Sequence, residues 1–186
     1  MYYKYIRLAW QIFSIGVVSI VLWAVLVGND FLGLFGGLPD PRDLENPKSE
    51  IASELFSADG LLLGKYFREN RSPIEYEKIS PLFFKALYAT EDIRFEEHSG
   101  IDLKGTVSIL PTLLMGKRRG ASTITQQLAK NLFKTRTDER LEGKLSNLPL
   151  LGKVIAKTKE WILAIHLERS YTKKEIIQML PSFAQK

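Results

Sequence analysis

Two neighbouring carboxylates, Glu91 and Asp92, are followed by Arg94, Phe95, His98 and Gly100, and about twenty residues later by the run Gly120-Ala121-Ser122-Thr123-Ile124-Thr125-Gln126-Gln127-Leu128-Ala129-Lys130-Asn131. At helical spacing Phe95 and His98 fall on one stripe with Glu91. A carboxylate beside an apolar ring is partly desolvated, binds a proton more readily and suits general-base work. Ser122 and Thr123 open a second helix whose first turn would offer unpaired N–H groups and hydroxyls, an arrangement that binds anions. Gln126 and Gln127 can hydrogen-bond a sugar or a phosphate, and Lys130 adds a positive charge one turn further on. Together these residues predict a carboxylate that takes a proton from a sugar hydroxyl beside a cradle for an anionic leaving group.

A third cluster, Lys157-Thr158-Lys159-Glu160, heads a strongly apolar stretch. Lys157 and Glu160 are three apart and either simply pair, or Glu160 is a second active-site carboxylate with Lys157 and Lys159 facing phosphate. The other patterns carry less. His98 and His166 are too far apart in sequence to make a metal site, and His166 reads as a core or rim residue. Ser170-x-x-Lys173 resembles a nucleophile motif of penicillin-interacting enzymes, but it lacks its companion motifs and falls at a helix start, so it reads as coincidence.

The elements that must position these groups can be read along the chain. Leu8 to Val27 is a run of twenty residues without a formal charge, enough to cross roughly 30 Å of hydrocarbon as a helix. Lys4 and Arg7 precede it and Asp30, Asp40, Asp43 and Glu45 follow it, which places residues 1–7 in the cytoplasm and the remainder outside. Val27-Gly28-Asn29-Asp30 is a poor signal-peptidase site, favouring an uncleaved anchor. Trp10 and Trp23 read as interface anchors. Residues 28–50, rich in Gly and Pro, read as a linker, with Phe31, Leu32, Leu34 and Phe35 available to the bilayer surface. Asp59-Gly60 between two apolar runs predicts a hairpin over 52–67.

From Ser80 to the C-terminus the pattern is helical. Ser80-Pro81 starts a helix whose apolar face is Leu82, Phe83, Ala86, Leu87 and Ala89. An apolar segment over 101–116 is broken at Pro111. Thr123 to Gln126 has capping-box form, opening a helix to about Lys134. Residues 135–152 read as a mobile connection, 154–169 as a buried helix, and Thr172 as the N-cap of a last one. The chain has 186 residues, net charge +5 and no cysteine, which excludes disulfides and thiolate metal sites. The basic balance suits an anionic partner. Because Lys and Arg are not interleaved with aromatics on one face, nucleic acid is not expected.

These residues resemble the peptidoglycan glycosyltransferases of glycosyltransferase family 51, found in class A penicillin-binding proteins and in monofunctional transglycosylases. Glu91, Asp92, Phe95, His98 and Gly100 match the family's first motif, and Gly120 to Asn131 its second. Lys157 and Glu160 match the third, with Ala156 where an Arg is common. The resemblance implies a mainly α, lysozyme-like transglycosylase domain over 51–186 at the outer face of the cytoplasmic membrane. It implies polymerisation of lipid II into β-1,4 glycan with release of undecaprenyl pyrophosphate. Glu91 would be the base and Glu160 would assist at the leaving group or help hold a divalent cation such as Mg or Mn, which some members use. Asp92, Arg94, His98, Ser122, Thr123, Gln126, Gln127, Lys130, Lys157 and Lys159 would contact pyrophosphate or sugar. Partners would be lipid II, lipid-linked glycan, the membrane, and a transpeptidase or other cell-wall synthesis protein.

After Met179 the family pattern of a Tyr-Leu-Asn run is replaced by Leu180-Pro181-Ser182-Phe183-Ala184-Gln185-Lys186. The expectation from this departure is an incomplete domain with low or no activity alone. The alternative function is a non-catalytic, membrane-anchored fragment that binds lipid II or a cell-wall partner.

Overall fold

A computed structural model describes residues 2–39, 53–66, 76–114, 120 and 122–180. Residues 40–50 of the linker and the departing segment 181–186 lie outside the described residues. The described elements are a long helix α1 (Tyr2–Gly28), strands β1 (Ser53–Phe56) and β2 (Leu62–Tyr66), then helices α2 (Pro81–Glu91), α3 (Leu103–Leu114), α4 (Ile124–Leu132), α5 (Pro149–Ser170) and α6 (Lys173–Met179). The predominance of helix and the single small antiparallel sheet match the expected fold class.

Helix α1 extends beyond the predicted 8–27 at both ends. It is long and apolar enough to cross a membrane, with a mean hydropathy of 2.2 over its best window and only 6% of that window buried. Its flank is open, with Trp10, Phe13, Ile15, Val18 and Ile20 all exposed. Its C-terminal end behaves differently. Val27 is fully buried with Phe35 and Ile155. Trp23 is a domain contact rather than a free interface anchor: its Nε1 donates to Thr158 Oγ1 at 2.9 Å, and its ring packs edge-on against Phe35.

The start of the expected linker is folded against the domain. Asp30 Oδ1 accepts from the N–H groups of Phe35 and Gly36 at 3.0 and 2.7 Å. Leu145 N–H donates to Leu34 O at 2.9 Å. Phe31 and Leu32 stay exposed, as a bilayer contact requires, whereas Phe35 is buried. Gly36, at φ +75°, lies so close to the backbone of Leu141 to Gly143 that a side chain would collide.

Lys159 completes this joint. It is 1% exposed, and its Nζ donates to the carbonyls of Gly37 and Leu141 at 3.1 and 2.6 Å. The assignment of Lys159 to substrate is therefore corrected, because its ammonium points into backbone carbonyls. Burial lowers its pKa to about 8. Below that pH the folded chain carries a buried cation at a cost. Between pH 8 and about 10.5 the unfolded chain binds more protons than the folded one, so stability should rise with pH across that window. Lys159→Met should remove this rise; equal slopes of thermal midpoint against pH in the two proteins would contradict it.

The turn signals fold with adjustments. The hairpin pairs Ser53 with Tyr66 and Phe56 with Leu62, with a bulge at Leu55/Phe56. Its connection spans Ser57 to Leu61, because only Gly60 of the Asp-Gly pair has positive φ, whereas a two-residue turn of the expected type needs both. Ser80 caps α2 by accepting from Leu82 N–H. The face of α2 that packs is Phe84, Leu87 and Tyr88; Leu82 is 74% exposed, against expectation. Helix α3 runs through Pro111 rather than breaking there.

The core lies between α4, α5 and α6, where Ile124, Leu128, Leu163, Leu167, Ile176 and Ile177 bury their side chains around Phe95. In α4 the buried residues recur at i and i+4 (Ile124, Leu128; Thr125, Ala129). Helix α4 ends at Leu132, short of the expected Lys134. Helix α5 begins at Pro149, earlier than predicted, and buries Ile155, Lys159, Leu163 and Leu167 along one stripe. It is buried on that face and not all round, and His166 is exposed rather than core. The segment expected as a mobile connection contains a helical turn at Glu139–Leu141 and is bonded to residues 33 and 34.

Candidate active site

Helix α2 ends at Glu91, and Asp92 adopts an extended φ of −159°. The chain then turns into a short 3-10 helix, Phe95–Glu97. The predicted stripe of Glu91, Phe95 and His98 therefore does not form, because the helix that would carry it stops one residue into the motif. Instead the motif splits. Phe95 turns into the core at 1% exposure, while Glu91 stays on the exposed surface. The expected desolvation of Glu91 by an aromatic ring is not found; Gln127 Nε2 holds its Oε2 at 2.6 Å.

Asp92 does structural work that the sequence reading gave to substrate binding. It is 7% exposed. Its carboxylate meets His98 Nε2 at 3.0 Å and accepts from Ile124 N–H at 3.1 Å. The N-terminus of α4 is thus occupied by the protein's own anion. A second of its donors, Gln126 N–H, goes to the N-cap Thr123 Oγ1 at 3.2 Å. The predicted backbone cradle for a ligand anion is corrected on this point: Asp92 and Thr123 already satisfy it, as buried helix ends require.

The two motifs are clamped together by further bonds. Gly100 O accepts from both Thr123 Oγ1 and Gln126 Nε2, at 2.8 and 3.0 Å. Gln126 therefore does not complete a capping box; its amide reaches Gly100 instead. Gly100 has φ +89°, and a Cβ there would lie 2.8 Å from the Ala164 backbone, so glycine is required by conformation and by close approach. The His98 side chain is 8% exposed beside Asp92, and its carbonyl accepts from Lys173 Nζ at 2.6 Å. Lys173 also pairs with Glu168 at 2.8 Å, whose Oε1 accepts from Thr125. Asp92, His98, Thr123 and Gln126 therefore bond to the protein's own groups and hold the two motifs together. Lys173 serves this buried network, in keeping with the reading of Ser170-x-x-Lys173 as coincidence.

What faces solvent is a cleft of about 430 Å³ lined by Glu91, Arg94, Asp102, Ser122 and Gln127 among others. Arg94 lies beside Glu91 in the chain and pairs with Asp102 Oδ2 at 2.5 Å. The pairing holds the Asp102 carboxyl below the usual carboxylate range. Asp102 also accepts from Gly105 N–H at 2.9 Å, at the start of α3. Asp102 was missed from sequence, where it fell inside the apolar segment 101–116; the structure starts α3 just after it, at Leu103, so an Asp three residues ahead of Gly105 is the cap signal that could have found it.

Ser122 connects the cleft to the third cluster. Lys157 Nζ donates to Ser122 Oγ and Gln126 Oε1 at 2.8 Å each, and meets Glu160 Oε2 at 3.1 Å. Glu160 is 1% exposed and also accepts from Arg136 Nε at 2.8 Å. Of the two open alternatives for Lys157 and Glu160, a simple pair is too little: two cations converge on one buried carboxylate. Arg136 was missed because residues 135–152 read as a mobile connection, and no local pattern marks it. Burial pushes the Lys157 pKa down, while Glu160 pulls it up and the nearby Arg136 and Lys130 push it further down. Lys130 thus belongs to the same positive region. Among the described residues no group of three carboxylates or histidines converges, and Glu160 is already flanked by two cations. A single carboxylate held between two cations is a setting that does not favour a divalent cation.

Two consecutive glutamines therefore link the carboxylates. Gln127 holds Glu91, and Gln126 holds the lysine that pairs with Glu160. An exposed carboxylate beside a polar cleft, with a cationic cluster one residue away, can take a proton from a hydroxyl and hold an anion nearby.

A family model described as transglycosylase matches residues 59–180. Penicillin-binding protein 1A of Escherichia coli (strain K12) is 38% identical over 144 residues, covering 76% of this chain and 15% of that protein. Penicillin-binding protein 1A of Aquifex aeolicus (strain VF5) is 37% identical over 172 residues, covering 89% of this chain and 21% of that protein. Penicillin-binding protein 1F of Bacillus subtilis (strain 168) is 38% identical over 130 residues, covering 69% and 16%. The chain spans about a fifth or less of the length of these relatives. The family model takes in Glu91, the Ser122–Lys130 segment and the Lys157–Glu160 pair together, and the chain belongs to the transglycosylase family.

Proposed function

We propose that the chain is a membrane-anchored peptidoglycan glycosyltransferase that joins lipid II units into β-1,4 glycan. The observation that carries this reading is the bonded path from Glu91 through Gln127 and Gln126 to Lys157, Glu160 and Arg136. It supports a reading in which Glu91 is the accessible base and the cations around Glu160 lie on the leaving-group side. Glu91 accepts the proton of the acceptor's 4-hydroxyl. The freed oxygen attacks the donor's anomeric carbon, and the bond from that carbon to the pyrophosphate oxygen breaks, with inversion. Lys157, Arg136 and Lys130 offset the charge that builds on the departing undecaprenyl pyrophosphate. Glu160 keeps the first two of these cations in place. Lys4 and Arg7, in the first two turns of α1 and ahead of its uncharged run, keep the N-terminus in the cytoplasm, so the cleft faces an outward-presented lipid substrate.

Incubating the full chain in vesicles with labelled lipid II tests the reaction. Glycan strands should form, with one undecaprenyl pyrophosphate released per bond made. A second reading, capture of lipid II without turnover, is favoured by the exposure of Glu91, which lacks the apolar neighbour that would strengthen a base. Saturable binding of lipid II with no polymer formed would select it.

A further inference from the structure

We propose that the start of α5, together with Phe31 and Leu32, forms a second membrane contact, seated in the leaflet where α1 ends. The proposal rests on the reading of α1 as a membrane span. It goes beyond that reading, because a span alone could carry its domain on a loose stalk.

The last turns of α1 are built into the domain. Trp23 donates to Thr158 of α5. Val27 shares a buried cluster with Phe35 and Ile155, and Leu145 and Leu151 pack against it. Trp23 lies four residues inside the end of the uncharged run at Val27, about 6 Å along a helix. The part of α5 that meets these residues therefore lies at the level of the last turn of the span. Around that joint Phe31, Leu32, Leu148, Leu150 and Val154 stay exposed, Leu32 at 72% and Leu150 at 79%. Backbone bonds bring the two segments together: Gly33 O accepts from Lys144 N–H at 3.3 Å, and Leu34 O from Leu145 N–H at 2.9 Å. On α5, Leu151 and Ile155 turn inward onto the Val27 cluster. Leu150 and Val154, also four apart, form the adjoining stripe and turn outward.

An exposed apolar cluster of this kind marks an interface. Its occupant follows from continuity: the patch adjoins the end of α1, where Leu22 and Val25 are open to lipid. The charges agree. Lys144 and Lys153 are exposed beside the patch, where their long side chains can reach headgroup phosphates while the stems lie on apolar surface. Of the nearby acids, Asp30 is taken up by the N–H groups of Phe35 and Gly36, and Glu142 is exposed. An apolar face flanked by lysines is the pattern of a segment lying in the headgroup boundary. Lys157 follows Val154 by three residues, so the cationic cluster of the cleft begins about 4.5 Å along the helix from the patch. Seated in this way, α5 would hold the leaving-group cations close to the bilayer surface.

The chain has no cysteine, so single cysteines can each carry one nitroxide label in the full chain, reconstituted in vesicles of phosphatidylglycerol and phosphatidylcholine. Leu32→Cys and Leu150→Cys report on the patch and Val18→Cys on the span. His166→Cys reports on an exposed point of α5, roughly 24 Å beyond Leu150. At 32 and 150, as at 18, the label should be several-fold more accessible to oxygen, which concentrates in hydrocarbon, than to a water-soluble nickel chelate. At 166 the order should reverse. Adding Leu150→Asp should shift the label at 32 toward the aqueous pattern, because a charge resists immersion. An aqueous label at either 32 or 150, with an immersed label at 18, would overturn the patch and leave the span standing. An aqueous label at 18 would remove both. Immersion at 166 as well would mean that the whole domain is sunk, which overturns a local contact. Spin–spin broadening at 150 that unlabelled chain relieves would make the occupant a second copy and overturn the bilayer contact. None of these outcomes depends on glycan synthesis, so the contact and the reaction stand or fall separately.

Discussion

Glu91→Gln should lower the rate of glycan formation from lipid II by about 10²- to 10⁴-fold, the usual contribution of a positioned general base. The substitution keeps the side chain's size and an oxygen that can still accept from Gln127 Nε2, the contact made at 2.6 Å in the parent. Glu91 is exposed and sits at the very end of α2, so the thermal midpoint should stay within about 1 °C, a surface change of well under 0.5 kcal/mol. Binding of lipid II should also persist, because the cationic cluster is untouched. Loss of rate with unchanged stability and binding is the pattern of a group that acts in the chemical step. Glycan synthesis at the parental rate in Glu91→Gln would remove this residue from the mechanism.

Much of this site could be read from residue types and spacing, but not the way the residues divide their work. The two motifs and the Lys157–Glu160 pair pointed to the transglycosylase family and to the helices that carry them. Ser80, Thr123 and Thr172 announced three helix starts, and each side chain accepts the expected backbone hydrogen bond. Local signals of this kind are legible because the physics is local. The failures are tertiary. Asp92 and Lys159 are charged residues that sequence alone assigns to a ligand, yet both are spent inside the protein. Asp92 serves a helix end thirty-two residues away, and Lys159 serves a carbonyl 122 residues away. Nothing within a helical turn of either residue encodes those partners. Arg136 was invisible for the same reason, since its carboxylate lies twenty-four residues further on. The Glu91–Phe95–His98 stripe failed differently. The periodicity was present, but Asp92 leaves the helical region to reach Ile124 and His98, and so ends the helix inside the motif.

The exposure of Glu91 changes how its reactivity must be supplied. Without an apolar neighbour in the free chain, its surroundings are set by Gln127, Arg94 and whatever the cleft admits. A bound saccharide would displace water from the cleft and desolvate the carboxylate at the moment it is needed. The fixed part of the site is then the buried clamp of Asp92, His98, Gly100, Thr123 and Gln126, which holds the two motifs together irrespective of ligand.

The larger structural effect is expected at Glu160. Glu160→Ala should destabilise the fold by about 1–3 kcal/mol, the cost of lost hydrogen bonds to a buried charged group, since Arg136 is 56% exposed and free to turn to solvent, and should abolish measurable glycan synthesis. Glu160 is 1% exposed and receives Lys157 at 3.1 Å and Arg136 at 2.8 Å. Removing it leaves Lys157 with only neutral acceptors, Ser122 and Gln126. Glu160→Gln is the more telling variant, since it keeps the volume and one acceptor oxygen. Burial already depresses the Lys157 pKa and the Glu160 carboxylate opposes that depression. Neutralising the carboxylate removes the opposition, so Lys157 loses its proton at lower pH. The alkaline limb of the rate profile should therefore move to lower pH in Glu160→Gln, with the acid limb unmoved. A profile identical to the parent's, together with an unchanged thermal midpoint, would mean that Glu160 does not hold the cations as the geometry indicates.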